Sequence, residues 1–197
     1  MKIGNIEAGT PILLGPMAGV TDWAFRTVCA ELGATVTYDP NYREALWNSE
    51  AEAVEQMKSV LGMVDILKIS DEELPLLTGT SDAEAGTKLL LDTYGIPLIL
   101  LTLGADGAFY RRGDETGREK GFAVKVADTN GAGDTFFGAF LSRMAALGCQ
   151  KPADLSAEQL AQTVRIANLA ASLTTSRHGA IPAMPDLAEL TEKSKEV

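Results

Sequence analysis

Asp128-Thr129-Asn130-Gly131-Ala132-Gly133-Asp134-Thr135 is the stretch on which the fold turns. Small residues precede an acid, and the apolar run Phe136-Phe137-Gly138-Ala139-Phe140-Leu141 follows, reading as a buried helix. A glycine-rich turn that feeds a helix leaves backbone N–H groups without acceptors at the positive end of the helix dipole. Such a turn binds anions, phosphates above all. Asp134 then stands where a carboxylate can take a proton from an attacking hydroxyl. Read alone, the stretch fits equally well an ordinary helix start with Asp134 as an acid in its first turn.

Working outward, strands alternate with helices. Ile96–Leu103 reads as a buried strand, and Asp65–Ile69 and Thr35–Tyr38 as two more. Ser49–Leu61, Asp71–Leu77 (stopped near Gly79) and Asp82–Tyr94 (ended by Gly95) carry helical spacing. Ala108–Arg111 and Phe122–Val126 read as antiparallel strands around a Gly-rich hairpin. Helices follow at Gly133–Leu147, Ser156–Thr174 and Pro185–Lys193. Near the start, Pro11–Gly15 reads as a strand; Trp23, Phe25, Val28, Cys29 and Leu32 then recur at helical spacing up to Gly33. The alternation predicts an α/β fold with a mostly parallel three-layer sheet, Rossmann-like in organisation. Ligands of such sheets bind at the carboxyl ends of the strands. Asp39-Pro40-Asn41, Ser70 and Gly104 all fall at such ends.

Composition narrows the function. The chain has 197 residues and a formal net charge of −10. Phosphate-backbone binding needs a basic surface, so no nucleic-acid partner is expected. Arg111, Arg112, Arg118 and Lys120 form the one basic cluster, read as a solvated hairpin tip. No apolar run approaches 18 residues, so no membrane span is expected. The start lacks a basic region leading into an apolar one, so no secretion signal is read. The 2 cysteines, Cys29 and Cys149, have neither metal-ligand nor redox spacing. A cytoplasmic chain with inert thiols is the expectation. A homo-oligomer is compatible with this composition.

Asp-Thr-x-Gly-Ala-Gly-Asp-Thr-Phe from Asp128, with Gly138 and Ala139 behind it, closely resembles the C-terminal signature of the ribokinase-like (PfkB) carbohydrate kinases. Asp39-Pro40-Asn41-Tyr42-Arg43 with Leu46-Trp47 resembles that family's D-P-N-x-R…L-W segment. Lys68-Ile69-Ser70-Asp71-Glu72-Glu73 resembles its N/S-x-x-E element. Thr102-Leu103-Gly104-Ala105-Asp106-Gly107-Ala108 resembles its T-L-G-x-x-G, and Arg177-His178-Gly179-Ala180-Ile181-Pro182 its late closing loop. The resemblance runs from about Thr35 to Ala188, is fructokinase-like in detail, and lacks the family's N-terminal half. It implies a ribokinase-like fold truncated in that half, over residues 35–197.

The resemblance also implies roles. Asp134 would be the base that deprotonates the acceptor hydroxyl, with Gly131, Ala132 and Gly133 giving N–H groups to the transferring phosphoryl. Thr102, Gly104, Asp106 and Gly107 would cradle ATP, with Gly179 closing over it; a tight turn into a hairpin is the alternative. Ser70 would stand at the nucleotide side, or cap the next helix. Glu73 would act through water on Mg2+ and phosphate, or be a solvated helix acid. Asp128 would help hold a monovalent cation (K+), or be a plain strand-end acid. Arg43 would reach phosphate, or pair with Glu44 or Glu50. His178 is read as a loop residue.

Residues 1–34 read differently. Pro16-Met17-Ala18-Gly19-Val20-Thr21-Asp22 resembles the opening of tRNA-dihydrouridine synthases, where this turn ends the first strand of a flavin-binding barrel. A barrel of that kind needs roughly 250 residues. The expectation is therefore a borrowed strand–helix segment, 1–34, packed into one domain with the kinase-like part. The function expected is ATP-dependent phosphoryl transfer to the hydroxyl of a small-molecule sugar, fructokinase-like and impaired by the missing sugar-binding half. The alternatives are a non-catalytic nucleotide-binding chain, an engineered chimeric scaffold and, less favoured, a flavin-dependent synthase fragment.

Overall fold

A computed structural model describes residues 2–3, 6–7 and 34–196. Lys2–Ile3 (β1) and Ile6–Glu7 (β2) pair antiparallel, Lys2 opposite Glu7 and Ile3 opposite Ile6. The main sheet comprises Thr37–Tyr38 (β3), Ile66–Ser70 (β4), Leu98–Thr102 (β5), Ala108–Arg112 (β6) and Glu115–Glu119 (β7). Its strand order is β3-β4-β5-β6-β7, and β3 runs parallel to β4 with Thr37 opposite Ile66. Strands β4 and β5 are buried over their first four residues, as near-continuous apolar runs in a parallel sheet must be.

Four of the described α-helices start where a side chain takes an orphan N–H of the first turn. Ser49 caps Glu50–Ser59 (α1), its Oγ accepting from Glu52 N–H at 3.2 Å. Glu73–Thr78 (α2) ends on Gly79 at φ 78°, and Ala83–Tyr94 (α3) begins under the Asp82 carboxylate and ends on Gly95. Ala132–Ala146 (α4) begins on Gly131. Ala157–Thr175 (α5) carries a capping box between Ser156 and Gln159, and Asp186 caps Leu187–Lys193 (α6). Each such cap contributes about 1 kcal/mol.

The chain divides into two compact units. The first comprises Met1–Leu101, Tyr110–Thr116 and Gln150–Ala153. Its core holds Ile66, Leu67, Ile69, Leu98, Ile99 and Leu100, all fully buried. Here α2 packs on α3; a Cβ at Gly86 would meet Leu74 Cδ1 at 2.8 Å, so glycine is what lets them approach. The second unit comprises Thr102–Phe109, Gly117–Cys149 and Asp154–Val197. There α4 lies along α5, burying Phe136 and Phe140 with Leu160, Val164 and Ala167. Each large apolar side chain so buried contributes roughly 1.5–3 kcal/mol.

Two sequence expectations are corrected. The strand paired with β6 is β7, Glu115–Glu119; Phe122–Val126 is irregular. The hairpin turns tightly at Gly113, φ 59°, and an Arg112–Glu115 ion pair of 2.5 Å closes it. The ladder then stops because Asn168 Nδ2 donates to the Glu119 and Lys120 carbonyls at 2.9 and 3.3 Å. Second, Arg111 is no solvated tip residue. It is 5% exposed; its Nε donates to Thr87 Oγ1 at 2.9 Å, and its Nη groups reach the Glu84 and Gly113 carbonyls. The strand read at Pro11–Gly15 and the helix ending at Gly33 lie outside the described residues.

Candidate functional site

In the second unit, the Asp128–Thr135 stretch folds as a turn into α4. Gly131 sits at φ 77°, a left-handed conformation that glycine adopts without strain. A Cβ there would lie 3.1 Å from Ala180 Cβ, so the late loop packs directly on this turn. Thr135 N–H closes the first helical bond to the Gly131 carbonyl at 2.8 Å. Its Oγ1 donates to the same carbonyl and accepts from Thr174 Oγ1 at 3.0 Å, fixing the helix start to α5. Among the described residues no acceptor faces the Gly133 or Asp134 N–H, as the first turn of a helix dictates. Asp134 is exposed at that first turn.

Asp128 ties the turn to the late loop. Its Oδ1 accepts the Asn130 N–H and its Oδ2 the Gly179 N–H, both at 3.0 Å. These donors hold its carboxyl below the ordinary aspartate value. The site thus carries a fixed negative charge beside the N–H groups of α4. Gly131, Ala132, Gly133, Asp134, Asp128 and Gly179 are thereby brought together. His178 is an exposed loop residue.

The turn after β5 is the other part of this unit's site. Leu103 N–H bonds the Gly107 carbonyl at 2.8 Å, and Gly104 and Gly107 have φ of 57° and 93°. A Cβ at Gly107 would run into the backbone of Glu119–Gly121, and one at Gly121 into the Ala105 carbonyl. The turn therefore lies flat on the chain leaving β7. Beside it is an open cavity of about 570 Å³ lined by Ala105, Asp106, Arg118, Lys120 and Gly121. Asp106 is exposed and lies 3.8 Å from the Arg118 guanidinium.

In the first unit, Ser70 and Glu73 meet at the carboxyl end of β4. Ser70 Oγ accepts the Glu73 N–H at 3.2 Å, as a helix cap does. Glu73 is 5% exposed, so it is not a solvated helix acid. Its Oε2 accepts Ser70 N–H at 2.8 Å and Ser70 Oγ at 3.1 Å, and its Oε1 accepts Tyr42 N–H at 2.7 Å. Next to it, the Lys68 ammonium, 6% exposed, lies 3.0 Å from Asp39 Oδ2. Burial pushes the Asp39 carboxyl up, against the pull of Lys68, and the nearby Glu73 adds to the rise. Arg43 forms no ion pair with Glu44 or Glu50; its Nη1 donates to the Tyr42 carbonyl.

Sequence reasoning gave no role to Lys68 or Ala180, though both stand in quoted motifs, and did not single out Gly121. A lysine inside the apolar run Ile66-Leu67-Lys68-Ile69 was the available signal for the first. Nothing local marks the other two, whose importance is a matter of what they touch.

Comparison with known proteins shows the family and the fold. Residues 8–187 match the pfkB family of carbohydrate kinases. That span takes in most of the segment whose opening reads as synthase-like. Fructokinase-1 of Zea mays is 39% identical over 166 residues, covering 84% of this chain and 50% of its own. A double-mutant fructokinase of Vibrio cholerae O395, solved with fructose, ADP and potassium ion, superposes with a TM-score of 0.78 at 34% identity. It is covered to 53%, with 86% of this chain. A fructokinase of Xylella fastidiosa with bound ATP gives a TM-score of 0.77 at 30% identity, over 87% of this chain and 55% of that one. The chain spans about half the length of the relatives it matches.

Proposed function

This chain belongs to the pfkB family of carbohydrate kinases and has a ribokinase-like α/β fold, and we propose that it binds ATP and transfers the γ-phosphoryl group to a sugar hydroxyl, as a fructokinase does. The observation that carries this reading is the Gly131–Asp134 turn, in which unpaired helix N–H groups and an exposed carboxylate share one turn of chain.

In this reading Asp134 takes the proton of the attacking sugar hydroxyl. The sugar oxygen forms a bond to the γ-phosphorus as the bond to the β–γ bridging oxygen breaks, and ADP leaves. The N–H groups of Gly131 and Gly133 would face the charge that develops on the phosphoryl oxygens, joined by that of Ala132 once it leaves the Thr129 carbonyl, to which it donates at 3.3 Å. Thr102, Gly104, Asp106 and Gly107 bed the nucleotide in the flat turn after β5, and Gly179 borders the phosphate end. Ser70 marks the corner at the end of β4.

A monovalent cation beside the phosphates would supply fixed positive charge. Asp128 fits that task, since the backbone N–H groups of Asn130, Gly179 and Thr129 favour its ionised carboxylate, whose acceptor capacity they do not exhaust. Mg2+ at Glu73 does not fit as well. That carboxylate is buried on three donors, and no cluster of three His, Cys, Asp or Glu able to hold a metal forms among the described residues. Mg2+ is therefore assigned to the nucleotide it accompanies. Residues 1–34 are proposed to complete the same domain, which the family match from residue 8 supports. Among the described residues no helix is long and apolar enough to cross a membrane.

The second reading is a chain that binds nucleotide without turnover, since the unpaired N–H groups at the start of α4 and the cavity beside the turn after β5 are features of binding and require no acceptor. Calorimetry with Mg·ATP and Mg·ADP, with a coupled ADP-release assay over a panel of sugars including fructose, separates the two. Sugar-dependent release supports the kinase, and binding without release the second reading. Absence of nucleotide binding defeats both.

A further inference from the structure

Three ionisable side chains lie together about β3 and β4: Lys68, buried in the middle of β4, Glu73, buried just beyond it, and Asp39, largely buried after β3. Burying charge costs several kcal/mol per ion unless every lone pair and proton is partnered. Here the partnering has a pattern. Asp39 Oδ1 accepts Asn41 N–H at 3.1 Å, and Glu73 Oε1 accepts Tyr42 N–H at 2.7 Å. Two carboxylates thus hold successive amides of the Asp39–Arg43 loop. Between them Asn41 sits at φ 47°, the left-handed region, and is the one non-glycine residue there among those described. A side chain held in that region needs its surroundings to over-determine it. Lys68 fixes Asp39 from the strand, and Ser70 fixes Glu73 from the strand end through both its N–H and its hydroxyl.

We propose that Glu73 is a positioning residue, which clamps the Asp39–Arg43 loop to the end of β4 and touches neither phosphate nor cation. A carboxylate offers about four acceptor directions. Three of Glu73's are taken by backbone and side-chain donors of the first unit, and the residue is 5% exposed. What the clamp delivers is the placing of Asn41 and Arg43, both exposed, where ligands of an α/β sheet bind. The inference rests on the proposed function for its nucleotide readout, but it concerns the first unit alone, and its amide test stands without nucleotide binding.

Glu73→Gln removes the charge and puts an NH2 group where an acceptor stood. Amide exchange of Tyr42 and Ser70, read by NMR, is expected to rise at least about tenfold, while amides of β5 stay within about twofold. The ratio of ADP affinities with and without Mg2+ is expected to match the parent's. Unchanged Tyr42 exchange overturns the clamp. A Mg2+ ratio that collapses toward one overturns the exclusion of the cation. If Glu73→Gln does not fold, Glu73→Asp keeps the charge but is too short to span Ser70 and Tyr42, and the same selective rise is required of it. A parent that binds no nucleotide sinks the kinase reading alone, because the exchange result still decides the clamp.

Discussion

The Asp128 carboxylate accepts the Gly179 N–H at 3.0 Å across 51 positions of chain. This bond lays the late loop against the start of α4, where Ala180 meets Gly131. Asp128 is held below the ordinary carboxylate value by the Asn130 and Gly179 donors. A depressed folded value means the bond contributes stability above the unfolded aspartate range, and that contribution is lost as pH falls through the folded value. Carboxyl titration by NMR is expected to place Asp128 below the ordinary aspartate value of 3.8. Gly179 amide exchange should then rise only at acid pH. Titration at or above the ordinary value would remove the link.

Asp134→Asn preserves shape and removes the base. If the chain transfers phosphoryl groups, turnover is expected to fall about 10²–10⁴-fold, since a positioned general base supplies that much. Nucleotide affinity should change less than about threefold. Half of the parent turnover in the variant would take Asp134 out of the chemistry.

Lys68→Met leaves Asp39 buried without its cation. Breaking a buried ion pair costs about 3 kcal/mol or more. Burial already raises the Asp39 carboxyl, so the folded state disfavours its charge. Its contribution to stability therefore declines as pH rises from the unfolded value through the folded one. The loss in Lys68→Met is accordingly expected to be large at neutral pH and to shrink as pH falls below the Asp39 folded value. Urea unfolding at several pH values tests this, and a pH-independent loss would contradict it.

Two glycines at positive φ should respond differently to alanine. Gly107, φ 93°, has the Glu119–Gly121 backbone where a Cβ would go, whereas Gly113, φ 59°, has nothing within 4 Å. Gly113→Ala is expected to cost about 1 kcal/mol, the strain of a left-handed alanine. Gly107→Ala is expected to cost at least about 3 kcal/mol, with clash added to strain. Equal losses by chemical denaturation would show that the turn after β5 does not lie on β7 as described.

Much of this molecule is legible in its residues. The apolar runs of β4 and β5, the caps at Ser49, Asp82, Ser156 and Asp186, and the stops at Gly79 and Gly95 are local signals with local causes. They place the helices within a residue or two of the sequence reading. The Gly131–Asp134 turn is legible for the same reason, since a helix start and its orphan N–H groups are built from consecutive residues. Other features were settled by partners far along the chain. Phe122–Val126 has the composition of a strand, yet Asn168 takes the carbonyls through which the ladder would have continued. Arg111 looks like a solvated cation until Thr87 and the Glu84 carbonyl surround it. Glu73 resembles a ligand-facing acid, and only the approach of Tyr42 shows where its oxygens are used. Periodicity and capping are encoded over a few residues, whereas the desolvation and pairing of a charge depend on which distant groups the fold brings within about 3 Å of it.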